Sequence, residues 1–127
     1  MCAVAMLFYH MGCVILHANR PQESTAIRST VSARLLSYQR DLYHATRHTR
    51  EICGIISVER SEAVLFHAVQ PLFVAGQVFS SQKEEQRAVA DMLVRIERDV
   101  GYSTSFFVQK LQEDWTAALN FECTAPC

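Results

Sequence analysis

A chain of 127 residues has room for one domain with a modest core. Half of the residues are hydrophobic, which excludes an intrinsically disordered protein. The formal net charge of −1 argues against a free-standing nucleic-acid binder, because such proteins need a basic face that displaces phosphate counterions.

The cysteines do not form a recognisable metal motif. Their number is odd, most of them lie far apart, and no CxxC pair occurs. A two-zinc cluster needs six closely spaced cysteines in a compact basic segment, and this chain has no such segment. We therefore expect buried thiols in a reducing compartment rather than metal or disulfide chemistry. The cysteines are Cys2, Cys13, Cys53, Cys123 and Cys127.

Residues 1–18 are apolar but differ from a signal peptide, since no basic region precedes them and Tyr9-His10 interrupts the run. They are also too short for a membrane span, which takes about 20 residues. The spacing predicts a mostly buried helix that ends before Pro21. Its apolar face is too broad for one neighbour, so we expect part of it to stay exposed and to drive self-association. The residues that form this face are Leu7, Phe8, Met11, Val14, Ile15 and Ala18.

Residues 25–60 contain no proline and have helical apolar spacing, which predicts one long helix or two helices meeting near residues 38–41. Four of the arginines in this stretch suggest phosphate binding, but they alternate with acidic residues and are spread around the helix. A solvated face is the better interpretation. These arginines are Arg34, Arg40, Arg47 and Arg50.

His44, His48 and Glu51 have the helical spacing of a zinc site. The metalloprotease pattern also needs a glutamate directly after the first histidine, as a general base, and Ala45 stands there. We therefore expect exposed, solvated histidines at these positions and predict no metal or cofactor site. His10 and His17 share a face of the first helix, where locally hydrogen-bonded, packed histidines are favoured over a metal site.

A further helix should begin after Ser61. Pro71 should kink this helix or restart it with the proline in its first turn. Gly76 would let another backbone approach closely, and we expect helix packing there rather than a ligand groove.

The last two helices are marked by their ends. Ser81 and Glu84 have capping-box spacing, Gly101 suits a left-handed helix end, and Ser103 or Thr104 could cap the next helix. The short link predicts an antiparallel helical hairpin, in which Trp115 and Leu111 close over the preceding helix at Met92, Leu93 and Ile96.

Two groups of residues carry a family resemblance. The first is Tyr9-His10, Ile15-Leu16-His17 and Arg20-Pro21, and the second is QPLFVAGQ at 70–77 with Arg95-Ile96-Glu97, Gly101-Tyr102, Thr104, Leu111 and Trp115. They resemble the C-terminal part of the fungal-specific transcription factor domain, the helical regulatory region that follows the zinc cluster in zinc binuclear cluster factors. The resemblance covers roughly residues 6–118. Ala18-Asn19 departs from the family pattern by separating His17 from Arg20.

Together these features predict an all-α domain over residues 1–120, about five helices in an antiparallel array ending in a helical hairpin, and a flexible tail at 121–127. The resemblance implies a nuclear regulatory domain that is not an enzyme. It would act through a protein partner, self-association or a ligand, with no direct contact to DNA or membrane. Two alternatives stay open: a free helical adaptor or inactive truncated product, and a metal-dependent enzyme using His44, His48 and Glu51.

Overall fold

The structure, a computed structural model, describes residues 2–20, 31–80 and 82–124, with the side chains of 122–124 left undescribed. All regular structure within these ranges is helical, which confirms the all-α prediction. The six helices are α1 (Ala3–Ala18), α2 (Val31–Val58), α3 (Glu62–His67), α4 (Val69–Val78), α5 (Lys83–Val100) and α6 (Ser105–Thr124). α6 continues to Thr124, into the segment expected to be a tail.

The predicted third helix is divided into α3 and α4 at Ala68. Pro71 is the third residue of α4, so its missing amide lies in the first turn, where no intrahelical partner is needed. The chain therefore restarts the helix at the proline, as one of the two expected outcomes. Ser61 occupies the N-cap position of α3 but makes no side-chain cap bond.

α4 is the central element of the fold, because it contacts each of the other five helices. Its sequence, VQPLFVAGQV, contains no charged residue, so every face can be buried without an ionic penalty. The core around it receives at least one fully or almost fully buried side chain from every helix. These side chains include Leu7, Ile52, Ile56, Leu65, Leu72, Val89, Leu93, Ile96 and Leu111.

Within the described residues this stretch forms one long helix, α2, rather than two helices meeting near residues 38–41. One apolar stripe runs along it at helical spacing. In the C-terminal half the stripe is buried, at Ala45, Thr49, Ile52 and Ile56. In the N-terminal half the same face is exposed, and the other described helices leave it uncovered at Val31, Leu35, Tyr38 and Leu42.

α1 buries only one face, so the expectation of a mostly buried helix is wrong for its outer side. Leu7, His10 and Val14 are buried against the body. The outer face is the exposed apolar surface that the breadth of the stripe predicted, and it carries Phe8, Tyr9, Ile15 and Leu16. None of the described helices combines the length and the apolar character needed to cross a membrane.

α5 begins and ends where its local chemistry indicates. Gln82 stands at its N-cap position, while the Ser81 half of the predicted capping box lies outside the described residues. Gly101 has a φ of 81° and its amide donates to the carbonyl of Glu97 at 2.9 Å, which confirms the left-handed end.

The link into α6 differs from the expected cap. Thr104 is fully buried, and its hydroxyl lies 2.9 Å from the Leu93 carbonyl oxygen and 3.2 Å from Oε2 of Glu97. The hydroxyl therefore contacts α5 rather than the first amides of α6, because a buried hydroxyl takes the acceptor that its surroundings provide. Ser103 likewise contacts a side chain, the Ser105 hydroxyl, at 3.2 Å.

α5 and α6 form the predicted hairpin. Thr104 lies against Leu93, and further along Leu111 and Val89 both face Gly76, so the two helices run in opposite directions. However, α6 contacts α4 more extensively than it contacts α5. The indole Nε1 of Trp115 donates to the Gly76 carbonyl oxygen at 2.9 Å. The anchor of α6 is therefore α4, which the hairpin prediction did not include.

Candidate functional site

Four of the five histidines of the chain meet between α1 and α2. We call them the histidine layer: His10 and His17 of α1, and His44 and His48 of α2. Positions seven apart on α1 and four apart on α2 each share one helical face, so the contact of the two helices brings all four rings together. α1 and α2 form the most extensive helix pair in the described structure.

The innermost contact joins His10 and His48. Their Nδ1 atoms are 2.9 Å apart and their ring centroids 5.1 Å apart. Two ring nitrogens at this distance share one hydrogen, so one histidine donates through Nδ1 and the other accepts with an unprotonated Nδ1. Tyr9 stands edge-on to both rings.

The outer part of the layer ends in an ion pair. The rings of His17 and His44 stack at 5.2 Å, and His17 also stacks on His48 at 6.0 Å. Nδ1 of His17 lies 3.3 Å from Oδ1 of Asp41, and the Arg20 guanidinium lies 3.1 Å from the same oxygen. Asp41 of α2 therefore holds both His17, near the end of α1, and Arg20, two residues after that end.

The surroundings of the layer oppose positive charge on His48. Burial lowers its pKa, and the nearby charges of His10, His17, Arg47 and His44 lower it further. At Asp41 burial acts to raise the pKa, but the hydrogen bonds and charges of Arg20 and His17 outweigh it, so that the pKa is lowered. The layer thus favours a neutral His48 and an ionised Asp41.

The expectation of solvated histidines is wrong for His44 and His48, because both rings face α1. Glu51 is exposed, and no group of three or more His, Cys, Asp or Glu side chains in the described residues is placed to hold a metal ion. The packed interpretation of His10 and His17 is confirmed, although their partners are on the other helix. The signal for this was present in the sequence: two histidine pairs, each on one helical face.

The other candidate sites of the sequence are placed as follows. Arg34, Arg40, Arg47 and Arg50 are all exposed, as a solvated face requires. At Gly76 the close approach comes from the Leu111 side chain, so helix packing rather than a ligand groove occupies that position.

The thiols differ from one another. Cys53 is the least reactive, because burial raises its pKa to about 11, with Glu85 adding to the effect. Cys13 is half-buried, while Cys2 is exposed, so the expectation of buried thiols fails at Cys2. The side chains of Cys123 and Cys127 lie outside the described part of the chain.

A groove of about 980 Å³ lies between the end of α1, the N-terminal half of α2 and the end of α4. Its apolar lining includes Ile15 of α1, Tyr38 and Leu42 of α2, and Val74 and Val78 of α4. It therefore connects the outer face of α1 with the uncovered half of the α2 stripe. We call these two regions together the uncovered surface.

Comparison with known proteins gives one informative relative. Over 115 residues, or 91% of this chain, the sequence is 41% identical to Transcription activator AMTR1 of Alternaria alternata. The chain is related to a fungal transcription activator. It spans about 15% of the length of that relative. No family model matches the chain, and no solved structure matches it.

This similarity supports the resemblance found in the sequence at its coarser level, a region related to a transcription factor. It includes most of the chain.

Proposed function

We propose that this chain is a helical regulatory region of a fungal transcription factor that works in the nucleus. It modulates transcription through contacts with a protein partner and does not bind DNA itself. The single observation that carries the proposal is the 41% identity to a transcription activator over 91% of the chain. The relative is much longer than this chain.

The outer face of α1 is the first part of the proposed contact. α1 contains no Asp, Glu, Lys or Arg, so a partner can cover this face without burying a charge. The exposed fractions are 41% for Phe8, 59% for Tyr9, 43% for Ile15 and 73% for Leu16. Large apolar side chains clustered on one face commonly mark a protein interaction site.

The N-terminal half of α2 is the second part. Its apolar stripe continues the buried face of the same helix. The residue pattern is therefore that of a buried face, yet the described helices do not cover it. A helix of a partner, or of a second copy of this chain, could complete the core there. Such a partner would present an apolar stripe of its own.

Two rival functions predict different behaviour. An inactive truncated product or free adaptor would not alter transcription when brought to a promoter. A metal-dependent enzyme would need His44, His48 and Glu51 to act together, whereas the described residues contain no group of three or more His, Cys, Asp or Glu side chains placed to hold a metal ion. The net charge of −1 supports a role without direct DNA contact.

The test is a reporter assay with the chain fused to an unrelated DNA-binding domain. The unmodified fusion should change reporter expression relative to the DNA-binding domain alone. The double variant Ile15→Glu/Leu16→Glu should abolish that change, because two carboxylates would prevent apolar contact with the α1 face.

A matched control is Val94→Glu, which changes an exposed apolar side chain on α5, away from the uncovered surface. This variant should retain the effect on the reporter. An unmodified fusion without any effect, or a double variant that is folded and fully active, would refute the proposal. Sedimentation of the purified chain then separates self-association, seen as a dimer at tens of micromolar, from contact with a different protein.

A further inference from the structure

We propose that the histidine layer is a pH-sensitive clasp, in which neutral histidines hold α1 on α2 and proton uptake below neutral pH releases α1. The proposal concerns the inner face of α1 and is independent of the function proposed for its outer face. It rests on the geometry of the four rings.

The His10 and His48 contact limits the number of protons that the clasp can hold. With one extra proton, a charged histidine can still donate to a neutral partner through the two Nδ1 atoms, which lie 2.9 Å apart. With two extra protons, both Nδ1 atoms carry hydrogen and face each other, and no acceptor is left. The contact and double protonation are therefore incompatible.

The remaining members of the layer increase this penalty. His17 stacks on both His44 and His48, so charge on any of these rings is repelled by charge on the next. His10 is only 8% exposed, which deprives a charged ring of solvation. The unfolded chain has no such restriction and takes up all four protons.

The helices packed on the layer provide little compensating charge in the described part of the chain. Asp41 of α2 faces His17 but is already paired with Arg20, two residues after α1, while Arg47 adds positive charge. α4 packs on both helices and has no ionisable side chain. The ionisable residues of α3 are Glu62 and His67. On α5, Glu85 pairs with Arg50 rather than with a histidine of the layer. Asp41 is therefore the carboxylate that the described residues place within hydrogen-bonding distance of the layer, at His17.

The direction of the pH effect follows from His48. Its pKa is lowered from the ordinary 6.5 in the folded protein. The stability that it contributes is complete above pH 6.5 and is lost as the pH falls through the folded pKa. Asp41 acts in a separate and lower window, since its pKa is lowered from 3.8.

The experiment compares urea unfolding at pH 7.5 and pH 5.5, a range in which histidine is the side chain that ordinarily titrates. The unfolding equilibrium constant of the wild-type chain should rise several-fold at pH 5.5, with a limit of about tenfold per pH unit for each excluded proton. His48→Gln keeps a hydrogen-bonding side chain that cannot titrate, and its pH dependence should be clearly smaller. His67→Gln removes the histidine outside the layer and should behave as the wild type.

Two measurements on the unmodified chain keep the proposal testable if His48→Gln does not fold. Nuclear magnetic resonance titration should show that the pKa of His48 lies below 6.5. Hydrogen exchange, corrected for its intrinsic pH dependence, should show α1 amides losing protection at pH 5.5 before those of α5. A normal titration of His48, equal loss of protection in both helices, or an unchanged pH dependence in His48→Gln would each overturn the clasp.

Discussion

Gly76 shows how closely single atoms are placed in this fold. A Cβ atom at this position would lie 2.8 Å from Cδ1 of Leu111 and 3.2 Å from Cγ1 of Val89. Both neighbours are fully buried, so neither can turn away freely. The three helices α4, α5 and α6 can meet at this distance only because residue 76 has no side chain.

Replacing Gly76 by alanine should therefore destabilise the chain. The energetic cost of overpacking should exceed the gain from better helix propensity, so the free energy of unfolding should fall by about 1–2 kcal/mol. Urea denaturation followed by circular dichroism measures it. Gly12→Ala is the matched control, since no atom lies within 4 Å of a Cβ there, and it should be neutral or stabilise by about 0.5–1 kcal/mol. Equal effects at the two glycines would show that the contact at Gly76 is not tight.

Trp115 provides a second prediction at this scale. Trp115→Phe keeps the aromatic ring but removes the donor to the buried Gly76 carbonyl, which should cost about 1–3 kcal/mol. Trp115→Ala also removes the ring and should cost about 3 kcal/mol or more. Thermal and urea unfolding of both variants gives the values. A Trp115→Phe protein as stable as the wild type would mean that the hydrogen bond contributes nothing.

Residue-level chemistry was predictable where it is local. The left-handed Gly101 and the first-turn position of Pro71 follow from the conformational limits of glycine and proline alone. His44 was not predictable in this way, because its burial depends on a ring 27 positions earlier, at His17. The pattern on one helix does not state which helix will lie against it.

Among the helices, two have C-terminal ends that are completed by side chains from α5 and α6. Nη2 of Arg95 on α5 donates to the carbonyl of Ile56 in the last turn of α2, at 2.7 Å. The carbonyls of a last turn have no amide partner within their own helix, and a cation there also suits the helix dipole. For α4 the corresponding donors are Trp115, to Gly76, and Gln86, to Phe79.

Arg95→Met should accordingly weaken the attachment of α5 to α2. The variant loses a charge-assisted hydrogen bond, but it also removes the buried Arg95 Nε, which has no hydrogen-bond partner among the described residues. We therefore expect the free energy of unfolding to fall by about 1–2 kcal/mol. Arg98→Met is the control on the same helix, because Arg98 is exposed and pairs only with the adjacent Asp99 in the described contacts. It should change stability by about 0.5 kcal/mol or less. Denaturant midpoints that fall equally in both variants would contradict a stabilising hydrogen bond from Arg95 to the end of α2.

The helices themselves could be predicted better than their contacts. Periodicity gives the positions of α1, α2, α5 and α6, and the short link gives the hairpin. The position of α4 at the centre depends on several distant segments at once and has no local signal apart from its lack of charge. The histidine layer is missing from the predictions for the same reason, since it needs the pairing of α1 with α2.

At the scale of the whole molecule, the charge of −1 predicts how the chain behaves with nucleic acid. The isolated chain should not bind duplex DNA specifically, because few phosphate counterions could be displaced. An electrophoretic mobility shift in about 0.2 M salt tests this. A shift that persists at that salt concentration and depends on the DNA sequence would contradict it. A chain fused to a known DNA-binding domain serves as the positive control.

The long-range hydrogen bonds bear on the order in which the protein becomes folded during synthesis. The Ile56 and Gly76 carbonyls each receive their donor from a residue 39 positions later, and His10 meets His48 after 38 positions. At roughly 5–20 residues per second, a ribosome needs about 2–8 s to add such a length of chain. For that interval the Ile56 and Gly76 carbonyls lack these side-chain donors. A nascent chain that has not yet reached Trp115 should therefore depend on chaperones more than the finished chain does.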